Sequence, residues 1–129
     1  MENNKNFKVL IVDDSSFSRT LLGNIVQKVG HEVVGSVGSG KEALDFLSNN
    51  KVDIVVTDIV MPEMTGIELT GKISKKYNDI HTIVVSSLSQ EHVILEAIGA
   101  GAMDFIPKPV TEEQMRDSIE KIIKIDNND

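Results

Sequence analysis

Asp13 and Asp14, Asp58, Ser86 and Lys108 each stand directly after a short apolar run. The runs are Val9-Leu10-Ile11-Val12, Asp53-Ile54-Val55-Val56-Thr57, Thr82-Ile83-Val84-Val85 and Met103-Asp104-Phe105-Ile106-Pro107. Runs this short, rich in Val and Ile and alternating with helix-length segments, read as parallel strands of an α/β sheet. In such sheets ligand chemistry sits beyond the carboxyl ends of the strands. Three carboxylates, a hydroxyl and an ammonium therefore converge on one edge. A carboxylate is a weak nucleophile, but it can accept a phosphoryl group when a metal and a cation neutralise the incoming oxygens. The set is what a phosphoryl-transfer site needs.

Five βα units must position these groups. Residues 7–12 read as the first strand, and Asp14, Ser15 and Ser16 supply helix-start chemistry for the segment that follows. Phe17, Leu21, Leu22, Ile25, Val26 and Val29 fall on one helical face, and Gly30 stops that helix. His31 to Val37 reads as a second strand, Gly38 to Gly40 as a loop, and Ala43, Leu44 and Leu47 as a short helix ending at Asn49-Asn50. Residues 53–57 are apolar enough to be a central strand buried on both faces. Pro62 and Gly66 break the chain before a helix over roughly 65–76, followed by a strand over about 81–86. A helix over about 90–99 carries Val93, Ile94, Ala97 and Ile98 and closes at Gly99-Ala100-Gly101. A short strand ends at Lys108. The last helix starts at Thr111 as N-cap, turns Met115, Ile119, Ile122 and Ile123 inward, and pairs Glu112 with Arg116, Asp117 with Lys121 and Glu120 with Lys124 outside. Asn127-Asn128-Asp129 reads as a frayed tail. Gly23 and Gly71 lie inside helices at a cost of about 1 kcal/mol each relative to Ala, for which close packing is the available reason.

Composition narrows the field. The 129 residues make one domain with a core of its own, and the net charge of −7 argues against nucleic-acid or anionic-membrane binding. There is no cysteine, which removes disulfides, thiolate metal sites and a Cys nucleophile. The opening MENNKNFK lacks the apolar core of a signal peptide, and no apolar run approaches the ~18 residues that span a membrane. The expected location is the cytoplasm.

The ordered set Asp13-Asp14, Asp58, Ser86 and Lys108 resembles the receiver domain of two-component response regulators. Val12-Asp13-Asp14-Ser15, the stretch from Thr57 to Gly66 and the stretch from Gly101 to Pro109 extend that likeness, so that it covers about 7–125. Because the chain ends where the receiver ends, it looks like the single-domain, chemotaxis-type (CheY-like) members. The resemblance implies a flavodoxin-like (βα)5 doubly wound parallel sheet of strand order 2-1-3-4-5. It implies a regulatory phosphoacceptor rather than an enzyme, one that takes its phosphoryl group from a histidine kinase and carries out only Mg²⁺-dependent self-phosphorylation and self-dephosphorylation.

Residue by residue, the resemblance makes Asp58 the phosphoacceptor. Asp13 and Asp14 become the acidic pair for Mg²⁺, with Asp14 the more direct ligand and Asp58 and the backbone carbonyl of Val60 completing the protein share. Hard oxygen donors with few protein contacts suit Mg²⁺ beside a phosphate. Asp14 also has an ordinary role open to it as a cap of the first helix. Lys108 pairs with Asp58 and then with phosphoryl oxygens, and the Lys108-Pro109 bond is a cis candidate. Ser86 becomes the switch hydroxyl, with a strand-end turn as its ordinary alternative, and Ser87 the adjacent small residue. Phe105 becomes the rotating aromatic, with plain packing the alternative. Val60 and Leu88 flank the phosphoryl site, and both are apolar here. That departure implies slow self-hydrolysis or dependence on a separate phosphatase. The output is a face made by the fourth helix, fifth strand and fifth helix, binding a partner such as a flagellar motor switch component.

Rival readings are weaker. Gly35-Ser36-Val37-Gly38-Ser39-Gly40-Lys41 imitates a phosphate-binding loop, but Glu42 replaces the hydroxyl residue and carries the wrong charge, so a Gly-rich turn is expected. A phosphatase of the haloacid dehalogenase type needs a second acid two residues after its nucleophile, where Val60 stands, and places that nucleophile on an early strand. His31, His81 and His92 show no metal-ligand spacing. The same site also suits a phosphate sink or relay with no motility output, or the receiver of a chemotaxis methylesterase system.

Overall fold

Alternation along the strands sorts the core into two layers. The computed structural model describes residues 6–127. Its strands are β1 (Lys8–Val12), β2 (Glu32–Val37), β3 (Ile54–Thr57), β4 (His81–Ser86) and β5 (Asp104–Pro107). They form one parallel sheet in the order β2-β1-β3-β4-β5. The helices between and after them are α1 (Ser16–Lys28), α2 (Gly40–Asn49), α3 (Gly66–Lys76), α4 (Glu91–Gly99) and α5 (Glu112–Asn127). This is the flavodoxin-like doubly wound arrangement that the family resemblance implied.

Successive strand residues face opposite sides of the sheet. Val9 and Ile11 of β1, Ile54 and Val56 of β3, and Ile83 and Val85 of β4 meet Leu22 and Val26 of α1 and Met115, Ile119 and Ile122 of α5. Leu10, Val12 and Val55 point the other way, against Ala43 and Leu47 of α2 and Leu69 and Ile73 of α3. Val84 packs with Val93 and Ala97 of α4, and Phe105 lies half-buried against that cluster. With both faces covered, the central strands read as unbroken apolar runs.

Helix starts are set by side chains. Ser15 caps α1 by accepting from the Ser18 N–H, Ser39 caps α2, and Thr65 closes a capping box with Glu68 on α3. Thr111 accepts from the Gln114 N–H at 3.1 Å while the Gln114 side chain accepts from the Thr111 N–H at 3.0 Å, the N-cap expected for α5. The glycine-rich stretch before α2 is closed by its own residues, with Glu42 Oε1 accepting from the Gly38 N–H at 2.8 Å. It is a turn.

Several expectations need correction. Phe17 and Leu21 are not core residues: they are 73% and 48% exposed. The apolar stripe of α1 is wider than the surface that covers it, so its first turns overhang a groove also lined by Pro109 and Val110. Ile98 of α4 is likewise exposed. Two charged residues of α5 reach other elements instead of their expected helical partners: Glu112 meets Lys28 at 3.5 Å and Lys121 meets Asp104 at 3.1 Å. Asn127 still belongs to α5, whereas the rest of the expected tail lies outside the described residues, as does most of the amino-terminal segment. Close packing does not account for Gly23 or Gly71 either. A Cβ at Gly23 would make ordinary contact with Val33 at 4.0 Å, and one at Gly71 would meet nothing.

Candidate functional site

Register brings the charged residues together. Val12 pairs with Thr57, Thr57 with Val84, and Ser86 with Pro107, so the residues after β1, β3 and β5 emerge side by side. The Asp58 N–H donates to the Val12 carbonyl at 3.0 Å, and the Lys108 N–H to the Ser86 carbonyl at 2.9 Å. The ladder thus runs on into the loops that carry the acids and the lysine. The Lys108-Pro109 peptide is cis, as the sequence suggested.

Asp13 is 1% exposed and fully engaged. Its Oδ1 accepts from the Ser15 N–H at 3.0 Å, and its Oδ2 from the Ser18 hydroxyl at 2.7 Å and from Lys108 Nζ at 2.8 Å. Burial works against its charge, but these donors outweigh it and hold the carboxyl below the usual range. Asp58 is buried too. Its Oδ1 accepts from the Ile59 N–H at 2.7 Å, and its Oδ2 lies 3.3 Å from Lys108 Nζ. Burial pushes this carboxyl up and the charge of Asp13 adds to it, against the pull of the Ile59 N–H and Lys108. Burial disfavours the Lys108 ammonium, yet its two acidic partners raise it overall, so it stays charged.

Asp14 is exposed. Ser15, not Asp14, caps α1, which leaves the Asp14 carboxylate free of the ordinary role open to it. Carboxylate oxygens of Asp13, Asp14 and Asp58 all lie within 4.8 Å of one another. Lys108 offsets part of the mutual repulsion of these three hard anionic donors, and a further cation among them would offset the rest. Their chemistry suits a small divalent ion with several retained waters. The donor set fits Mg²⁺.

The remaining expected residues stand at or just beyond the ends of β3 and β4. Ser86 is buried and its hydroxyl accepts from the Leu88 N–H at 3.0 Å, closing the strand-end turn that was its ordinary alternative. Ser87 is exposed and lines the groove that also holds Ser18 and Lys108. Val60 is 57% exposed and Leu88 38%, two apolar side chains in solvent, two residues beyond Asp58 and Ser86 respectively.

Three contributors escaped the sequence reading. Ser18 touches both Asp13 and Lys108, the latter at 3.1 Å. Arg19 donates to the Asp13 carbonyl at 2.6 Å and so ties α1 to the end of β1. Gly66 was read only as a chain breaker, yet a Cβ there would lie 1.9 Å from the Asp58 carbonyl oxygen. Its N–H donates to the Ile59 carbonyl at 2.9 Å. Only glycine lets α3 start this close to Asp58. Helical spacing from the apolar stripe does not predict that Ser18 reaches back to the strand end.

A family model described as the response regulator receiver domain matches residues 9–120. The chain is 42% identical over 117 residues to a chemotaxis protein CheY of Thermotoga maritima, covering 91% of this chain and 98% of that one. It is 35% identical over 128 residues to a protein-glutamate methylesterase/protein-glutamine glutaminase of Pyrococcus horikoshii, covering 93% of this chain but 34% of that one. Among solved structures, a CheX–CheY–BeF3–Mg complex from Borrelia burgdorferi has a chain similar at TM-score 0.84 and 30% identity, with 91% and 89% of the two chains covered. Among the described residues no helix is long and apolar enough to cross a membrane.

Proposed function

The chain belongs to the response regulator receiver family, and from that premise we propose that it is a phosphorylation-operated switch with Asp58 as phosphoacceptor. A histidine kinase of the chemotaxis type supplies the phosphoryl group. An Asp58 carboxylate oxygen forms the new O–P bond while the P–N bond to the donor imidazole breaks, the electron pair leaving with the imidazole. Lys108, already 3.3 Å from Asp58 Oδ2, offers its ammonium to the arriving phosphoryl oxygens. Mg²⁺, held by Asp13, Asp14, Asp58 and the Val60 carbonyl, supplies the remaining charge neutralisation when bound. The observation that carries this reading is the convergence of three carboxylates and Lys108 at adjoining strand ends.

Ser86 then exchanges its bond to the Leu88 N–H for a phosphoryl oxygen, with Ser87 beside it. Phe105 turns inward as the site tightens. The face of α4, β5 and α5 changes shape and binds an output partner such as a flagellar motor switch component. What supports that choice of face is the exposure of Leu95 and Ile98 on α4, an element that packs against β5. Phosphorylation biases only an existing equilibrium, by as much as it binds the two states differently. Val60 and Leu88 shield the acyl phosphate, so its loss is slow or needs a separate phosphatase. The protein works in the cytoplasm as a regulator without nucleic-acid or membrane partners, and residues of about 7–125 form the core of one receiver unit.

The likeness to a methylesterase favours a second reading in which the same site serves a methylesterase-like system. A phosphate sink without motility output uses the site identically, and binding to motor proteins with and without phosphorylation separates the two. The founding test is intact mass after incubation with acetyl phosphate and Mg²⁺. Wild type should gain one phosphoryl group, and Asp58→Asn or added chelator should abolish the gain. No uptake by wild type at saturating donor overturns the reading.

A further inference from the structure

Resting on the phosphoacceptor reading, we propose that Ser18 is a positioning residue of this site, its hydroxyl competing with the metal for Asp13 while keeping Lys108 in place for the phosphoryl group. The hydroxyl has one hydrogen to give and lone pairs to receive. Its hydrogen goes to Asp13 Oδ2 at 2.7 Å, and its oxygen accepts from Lys108 Nζ at 3.1 Å. Each end of its dipole therefore faces the charge it suits. The geometry is anchored from the backbone side as well, because the Ser15 N–H holds Asp13 Oδ1 and the Ser15 hydroxyl holds the Ser18 N–H.

Two donors already converge on Asp13 Oδ2, the Ser18 hydroxyl and Lys108 Nζ at 2.8 Å. A cation entering among Asp13, Asp14 and Asp58 that takes this oxygen must share it with these donors or displace them. When the lysine yields Asp13, two acceptors remain to it, Ser18 Oγ and Asp58 Oδ2. These hold the ammonium next to the nucleophile instead of releasing it to solvent. The same hydroxyl thus weakens metal binding and preserves the electrostatic half of catalysis. Both effects depend on the hydroxyl and not on side-chain volume.

Opposite signs make the test specific. Isothermal titration calorimetry measures Mg²⁺ affinity, and intact mass measures the rate of phosphoryl uptake from acetyl phosphate at saturating Mg²⁺. Ser18→Ala should bind Mg²⁺ about three- to ten-fold tighter, the fold-change of one hydrogen bond's net contribution. Its uptake should be slower by a similar factor. Ser18→Thr, which restores the hydroxyl, should return both to wild-type values. A Ser18→Ala protein with unchanged or weaker Mg²⁺ binding, or with undiminished uptake, overturns the proposal. A wild-type protein that neither binds Mg²⁺ nor takes up phosphate overturns the underlying reading of the site instead.

Discussion

Lys108 sits closer to Asp13 than to Asp58, with Nζ 2.8 Å from the one and 3.3 Å from the other. The lysine is shared between a proposed Mg²⁺ ligand and the proposed phosphoacceptor. Removing it leaves two buried carboxylates facing each other without a cation. Breaking a buried pair costs several kcal/mol, and the partial exposure of this lysine reduces that. Lys108→Ala should lose about 1–3 kcal/mol in the metal-free protein, and Mg²⁺ should return more stability to the variant than it adds to wild type. Urea unfolding with chelator and with Mg²⁺ measures both. Equal stability of the two proteins in chelator would show that the pairing contributes nothing.

Asp58 is unfavourable to the metal-free fold at neutral pH. Burial, then the charge of Asp13, raises its carboxyl. The sign follows from linkage: a raised carboxyl contributes stability below its unfolded value, and that contribution is lost as pH rises through the folded value. Asp58→Asn keeps an oxygen for the Ile59 N–H and removes the charge. It should raise the melting temperature in chelator at pH 7. A lower melting temperature by calorimetry would contradict the account.

In the shielding proposal, the exposed Val60 side chain keeps a polar group from orienting water near the acyl phosphate. Val60→Asn should shorten the lifetime of the phosphorylated protein several-fold while leaving the fold unchanged, as followed by intact mass after donor removal. An unaltered lifetime in Val60→Asn and in Leu88→Asn would sink the shielding idea.

Two helix glycines should respond oppositely to alanine. Gly66→Ala forces a Cβ against the Asp58 carbonyl and should cost about 1–3 kcal/mol or more, with loss of phosphoryl uptake. Gly71→Ala has open space and should gain up to about 1 kcal/mol through helix propensity alone. Denaturant midpoints decide both, and a stable, active Gly66→Ala would refute the close-approach argument.

His31 ties stability to pH. Its Nδ1 accepts from the Phe7 N–H at 3.1 Å, its ring stacks on Phe7, and burial holds the imidazole below its ordinary value. A depressed histidine contributes stability above the unfolded value near 6.5, which is lost as pH falls from there through the folded value. Urea midpoints should therefore drop from pH 7.5 to 5.5, and by less in His31→Gln. Identical drops in both proteins would assign the effect elsewhere.

Sequence alone determined the element types, the parallel sheet order implied by the family likeness, and the residues at the strand ends. The reason is that strands buried on both faces must be continuous apolar runs, so their ends are marked by the first charged residue. Asp13 and Asp58 were legible for that reason, and Lys108 from its place after the short run that ends the sheet. Tertiary structure decided what one-dimensional spacing does not encode. Phe17 and Leu21 share the stripe of Leu22 and Val26, but no neighbouring element covers them. Ser18 looks like any serine of a first helical turn until the fold brings Lys108, ninety residues away in sequence, against its hydroxyl. Gly66 is a chain breaker in sequence and a contact in space, because the approach of α3 to Asp58 is set by how α3 packs on the sheet. Which acid holds the lysine more closely is likewise a matter of three elements meeting at one edge, and no local pattern records it.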